Sequence, residues 1–280
     1  MVRIGKERVS LAVQVTNRVL RVLELGKDRR PTFEPVEVSL DGADKLETFR
    51  RIVNERGLSG KSAITCLSVD DALMKFYKYP ASMSSKDLQN AIDWSIKREL
   101  SAIREETLHD YYILEKRPED KHVGVVLVLS RKETVDNLKR MFESVGIKLA
   151  IIDFEIVATV NYGLYFRLPV PFSILYMDYN YSTLTTYSPM NVSYSVFHWG
   201  YGDFLKSQDE ESIEGFFAEV RNIIVLNDLS SMYIAGPILG EEDLLTRVME
   251  NLPVLGLLDV EGIKPNFFLP YILSIRGMEE

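Results

Sequence analysis

The side chains able to do chemistry are few in this chain and lie far apart. His109, His122 and His198 share no H-x-x-x-H spacing, which would place two imidazoles on one helix face, so no metal site is expected. Each reads as a surface or strand residue. Cys66 is the only cysteine. It can form no internal disulfide, suits a reducing cytoplasm, and reads as a small buried hydrophobe in a strand over 62–67. Trp199-Gly200-Tyr201-Gly202-Asp203 contains a G-x-G. It lacks the third glycine of a dinucleotide fingerprint and follows the third strand of a meander instead of opening a βαβ unit, so a tight turn is expected. No G-x-S-x-G is present, and no set of serine, histidine and carboxylate suggests a hydrolase. No catalytic residue is therefore assigned.

The elements that would position any site repeat. Residues 9–25 and 172–188 each read as strand, short polar turn, strand, with apolar residues alternating as Val9, Leu11, Val13, Val15 and as Phe172, Ile174, Tyr176. The turns are Thr16-Asn17-Arg18 and Asn180-Tyr181-Ser182. A third strand follows in both, over 32–38 and 192–199, then an amphipathic helix, then a strand over 62–67 or 232–235. Two similar lobes are the simplest reading. They are expected over 1–170 and 171–280, with Pro169-Val170-Pro171 as hinge.

The first lobe carries about eighty residues with no counterpart in the second. This insert, about 70–150, reads as a strand over 73–79, a helix over 84–100, two strands over 108–114 and 123–129 joined by the charged loop 115–122, and a second helix. Asp41 is expected to cap the helix over 41–56, and Ser130 with Glu133 to form a capping box. The second lobe has a helix over 210–226, another over 241–251 and a last apolar helix over 267–276, so its helical part is short.

Composition bounds the function. Hydrophobic residues at 46% and charged residues at 26% suit a soluble globular protein. The net charge of −8, without a basic stripe, argues against nucleic acid as a partner. Residues 1–8 lack a signal-type apolar core, and no run reaches the ~18 apolar residues of a membrane span. Any work at a membrane is thus expected to be indirect. The aromatics Tyr176, Tyr179, Tyr181, Tyr187, Tyr194, Phe197, Trp199 and Tyr201 read either as an interaction face or as ordinary strand preference.

Duplicated lobes of this order, with an insert in the first, resemble the actin-like or ribonuclease H-like fold, an α/β class with mixed sheets. Within the insert, Met83-Ser84-Ser85-Lys86-Asp87-Leu88, Ala91-Ile92-Asp93-Trp94, Arg98-Glu99-Leu100 and Asp110-Tyr111-Tyr112-Ile113-Leu114 are similar to segments of the type IV pilus assembly protein PilM family. So are Asn137-Leu138, Glu143 to Lys148, Ile152-Asp153-Phe154-Glu155 and Leu273 to Gly277. The resemblance implies a cytoplasmic scaffold of a pilus or type II secretion-like platform, related in fold to the division protein FtsA and to the cytoplasmic part of GspL. It implies tethering by the short cytoplasmic tail of a PilN-like membrane protein, with other platform proteins as further partners. The family's peptide groove points to residues 70–79 and 108–114.

The resemblance also implies where a nucleotide would sit. In actin-like ATPases the two hairpin turns cradle phosphates through backbone N–H groups, and a carboxylate at the end of the first strand holds magnesium through water. The corresponding positions here are Thr16 and Asn17, then Asp178, Asn180, Ser182 and Thr183, with Gly236 in the adenosine-side loop. Gln14 stands where the aspartate is expected, Thr16 where glycine is expected, and Pro237 removes a donor. The expectation is a degenerate site with weak or absent ATPase activity and no resident cofactor. An ATP-binding switch with magnesium, or an FtsA-like machine component, are the alternatives.

Overall fold

Alternating apolar residues and short polar turns build a β-meander at the start of each half of the chain. The computed structural model describes residues 2–3, 8–115, 120–207, 209–260 and 262–279. Residues 116–119 of the charged loop, and most of 1–8, lie outside these. The elements begin β1 (Val2–Arg3), β2 (Leu11–Val15), β3 (Val19–Glu24), β4 (Val36–Ser39), α1 (Lys45–Glu55) and β5 (Ser62–Leu67). The insert follows as β6 (Ala72–Pro80), α2 (Ser85–Ala102), β7 (Thr107–Ile113), β8 (His122–Arg131) and α3 (Lys132–Ser144). Next come β9 (Lys148–Phe154), α4 (Glu155–Tyr165), β10 (Phe172–Met177), β11 (Ser182–Ser188), β12 (Asn191–Phe197) and the short α5 (Tyr201–Lys206). The chain closes with α6 (Glu210–Leu226), β13 (Met232–Ala235), α7 (Glu242–Asn251), β14 (Val254–Leu258) and α8 (Phe268–Glu279).

Contacts divide the chain into two units, Met1–Glu155 with Pro189–Val192 and Leu273–Glu280, and Ile156–Ser188 with Ser193–Ile272. The first contains a six-stranded mixed sheet of order β1-β9-β5-β2-β3-β4 and the insert's antiparallel sheet β6-β8-β7. In the insert, α2 lays Ile92 and Ile96 on Tyr79, Val125, Leu127 and Leu129, one face of the three strands. The sheet β12-β11-β10-β13-β14 belongs to the second half. There α6 packs Ile213, Phe216, Phe217, Val220 and Ile224 on Leu175, Met177 and Ile234, as its helical spacing requires. The segment 169–171 joins α4 to β10, both assigned from Ile156 onward to the second unit.

Three local expectations are corrected. Asp44, not Asp41, caps α1, its carboxylate accepting from the Glu47 N–H at 2.9 Å, because Asp41 is drawn into an ion pair with Arg18 at 3.0 Å. Ser130 forms no capping box: β8 runs on to Arg131 through its ladder with Thr107, and the Ser130 hydroxyl donates to the Asp71 carbonyl at 2.8 Å. The third strand starts only at Val36, after Pro35, which has no N–H to give a ladder. Three elements, β1, α5 and β14, have no counterpart in the sequence reading.

Candidate functional site

In the first unit the turn between β2 and β3 is closed by its own threonine. The Thr16 hydroxyl accepts from the N–H groups of Arg18 (3.1 Å) and Val19 (2.9 Å), and the Thr16 N–H donates to the Val19 carbonyl at 3.0 Å. These are donors that a phosphate cradle would aim outward. Asn17 is exposed at the tip, its side-chain oxygen 3.5 Å from the Lys45 ammonium. Burial pulls Lys45 below its ordinary value, with Asp71 partly opposing.

Beneath this turn Gln14 stands at the position where the resemblance leads one to expect an aspartate. Gln14 is buried, and its side-chain oxygen accepts from Arg21 at 3.1 Å, while the Arg21 guanidinium, 3% exposed, also pairs with Glu37. A buried guanidinium without that carboxylate would carry an uncompensated charge, so the trio is a structural unit. A second buried pair, absent from the sequence reading, lies at the end of β9. Asp153 binds Arg276 of α8, and its other oxygen accepts from the Phe154 N–H at 2.8 Å. Cys66 is its neighbour across the β5–β9 ladder. Burial, with Glu155, Asp153 and Asp71 nearby, pushes the Cys66 thiol well up.

In the second unit the β10–β11 turn is closed differently. Asp178 is buried, one carboxylate oxygen accepting from the Tyr176 hydroxyl and the other from the Tyr179 N–H, both at 2.8 Å. Its own N–H donates to the Tyr181 carbonyl at 3.0 Å. The carbonyls of Asp178 and Tyr179 accept from the N–H groups of Tyr201 (3.0 Å) and Gly202 (2.9 Å), which ties the turn to the start of α5. Such an approach requires glycine: a Cβ on Gly200 would fall 2.4 Å from the Asp178 oxygen, and one on Gly202 would strike the Tyr179 ring at 2.4 Å. The G-x-G is thus a helix start wedged under the hairpin, with Asp203 accepting from the Gly200 N–H at 2.8 Å. Ser182 donates to the Trp199 carbonyl at 2.7 Å, and Thr183 is buried beside it. Gly236, at φ 95°, packs against the Tyr176 ring, where a Cβ would stand 2.7 Å away.

Of the expected site residues, Asp178, Ser182, Thr183 and Gly236 therefore converge around Tyr176 and the β10–β11 turn that holds Asn180. Thr16 and Asn17 belong to the first unit's turn. The Thr16 hydroxyl of the first turn, and the Asp178 carboxylate and Ser182 hydroxyl of the second, each have hydrogen-bond partners within their own unit.

The insert presents a different surface. On the face turned from α2, the register aligns Phe76, Val126 and Tyr112 in one row across the three strands. Tyr112 is 59% exposed and Phe76 half-buried. Gly124, in the next row, lets the Phe76 ring and Leu114 close over the backbone, for a Cβ there would sit 2.8 Å from the ring. Order β6-β8-β7 leaves β6 and β7 as the edges of this sheet.

Residues 36–169 match the family model described as type IV pilus assembly protein PilM. That segment, a little under half of the chain, is similar to this family. A solved structure described as a PilM-PilN type IV pilus biogenesis complex is similar over 98% of this chain and 100% of its own, with TM-score 0.77 and 15% identity. A Bacteroides thetaiotaomicron protein with actin-like ATPase fold and unknown function aligns over 98% of this chain and 99% of its own, with TM-score 0.54 and 11% identity. The cytoplasmic domain of EpsL, an inner membrane component of the type II secretion system of Vibrio cholerae, aligns over 96% and 94%, with TM-score 0.52 and 11% identity. No curated relative matches at the sequence level. The chain thus has the actin-like fold, a mixed α/β architecture. No helix among its described residues is long and apolar enough to cross a membrane.

Proposed function

We propose that this chain is a cytoplasmic scaffold of a pilus or secretion-type inner-membrane platform, held at the membrane by the short cytoplasmic peptide of a PilN-like protein. One observation carries the reading: the likeness to the PilM-PilN structure runs through 98% of the chain, insert included. The insert supplies a chemically suitable surface. An extended peptide laid along β6 or β7 would gain main-chain hydrogen bonds and cover Tyr112 and Phe76, an aromatic anchor pair of the kind that dominates peptide interfaces.

In the same proposal the actin-like lobes act as architecture without ATP turnover. Its support is local: Thr16 occupies the N–H groups of its own turn, Gln14 replaces a carboxylate and is bound by Arg21, and Asp178 is held by Tyr176. A hard cation prefers a negative oxygen, and a neutral amide already engaged with a guanidinium offers none.

The test is a binding assay with N-terminal peptides of single-span membrane proteins encoded beside this gene. One peptide is expected to bind, and Tyr112→Arg to weaken it about tenfold or more at unchanged circular dichroism. Failure of every peptide removes the tether. Calorimetry with ATP and magnesium is expected to be silent, and micromolar binding would establish the nucleotide-switch reading instead.

A further inference from the structure

The chain's net negative charge resides in one unit. Of the 41 acidic residues 14 fall in the second unit, against 5 of the 33 Lys and Arg, a balance of −9, while the first unit is left at +1. The five-stranded sheet ends in β14, and among the described residues no strand pairs with its outer edge. Charges and prolines within the strand are among the devices that blunt the edge strands of soluble proteins. The β14 sequence, Val-Leu-Gly-Leu-Leu, has neither. Leu255 is 60% and Leu257 42% exposed. Acidic residues stand just beyond both ends, Glu250 before it and Asp259 after it, and neither makes an ion pair among the described residues.

The same neighbourhood carries further exposed apolar surface. Arg221 of α6 reaches the Asn251 carbonyl at 3.2 Å, which sets the last turn of α6 beside the junction of α7 and β14. One helical turn beyond Arg221 is Val225, 76% exposed, and Leu226 next to it is 79% exposed. Arg221 itself is matched by Glu214, so its charge does not offset the acidic rim.

We propose that β14 is a docking edge for an extended basic and apolar segment of another protein, which adds a sixth strand to this sheet. The open ladder supplies main-chain hydrogen bonds, Leu255 and Leu257 supply apolar contact, and the field of the unit selects Lys or Arg. Charge also decides against a second copy of this chain as the occupant, because edge-to-edge pairing would bring together two surfaces of like sign. The site lies in the other unit from the insert, and the proposal does not depend on the peptide-tether reading.

The test uses the full chain and two synthetic octapeptides of alternating residues, Lys with Val and Glu with Val. Binding is read by fluorescence anisotropy and located by amide hydrogen exchange. The Lys-Val peptide is expected to bind, to slow exchange within 254–258, and to weaken about tenfold in Leu255→Lys/Leu257→Lys and in Glu250→Lys/Asp259→Lys. The second variant leaves the strand intact and so separates lost binding from lost folding. Equal binding of the Glu-Val peptide, protection elsewhere than β14, or self-association that protects the same amides without peptide would each overturn the proposal.

Discussion

Removing Arg276 while keeping Asp153 probes the most deeply buried ion pair found in the first unit. The two side chains are 9% and 5% exposed. Arg276→Met fills similar volume but strands a carboxylate, whose remaining support is the Phe154 N–H at 2.8 Å. Breaking a buried pair from one side costs about 3–5 kcal/mol, and that surviving hydrogen bond places the expectation near ~3 kcal/mol. Against a typical total of about 5–15 kcal/mol, this is a large share. Asp153→Asn alone removes this carboxylate from the buried guanidinium and is expected to cost a similar amount. The double variant Asp153→Asn/Arg276→Met removes both charges and is expected to lie within about 1 kcal/mol of the parent. Urea denaturation followed by far-ultraviolet circular dichroism gives all four corners of the cycle. The expected coupling is about 5 kcal/mol, and additivity within ~0.5 kcal/mol would refute the assignment of the pair as a structural unit.

Further outcomes follow from the two turns and the thiol. Thr16→Gly restores the residue expected of a phosphate cradle but deletes the acceptor of two N–H groups; it is expected to cost about 1 kcal/mol in a urea titration and to confer no ATP binding by calorimetry. Gly200→Ala places a Cβ 2.4 Å from backbone atoms that cannot yield like a flexible side chain, so a loss of ~2 kcal/mol or more and displaced amide resonances at 178–182 are expected. Cys66, buried with its ionisation pushed up, is expected to resist a thiol reagent in the native state and to react at once in denaturant. Its raised native value also has a sign for stability. Unfolded thiols ionise above about 8.5 while the native one stays protonated, so stability is expected to fall as pH rises beyond that point, and less so in Cys66→Ala.

The β-meanders and the core helix α6 are legible in the sequence because period-two and period-3.6 patterns are properties of neighbouring residues. Local capping chemistry is less legible where two acceptors compete: Asp41 and Asp44 are both credible caps until Arg18, 23 residues from Asp41, claims the first. Ser130 shows the same effect, its hydroxyl drawn to a carbonyl 59 residues away. The strand β14 escapes because its four apolar residues and one glycine show no apolar-polar alternation, and α5 because its glycines signal a turn more strongly than a helix. At the turns, the departures at Gln14 and Thr16 are visible in the sequence, but the partners that rebuild them are not. Arg21 could be guessed as the cross-strand neighbour of Gln14 in a hairpin register. Arg276, 123 residues from Asp153, leaves no local trace.

The contribution of α8 to the first unit bears on how the protein is made. Residues Leu273–Glu280 are counted with a unit that otherwise begins the chain, the Val9 N–H donates to the Gly277 carbonyl at 2.8 Å, and Arg276 neutralises Asp153. A ribosome emitting this polypeptide must therefore translate the entire second unit before the earliest-born strands receive their closing clasp. Until then Asp153 lacks its guanidinium and the first unit is incompletely folded, an interval in which chaperone protection would matter most.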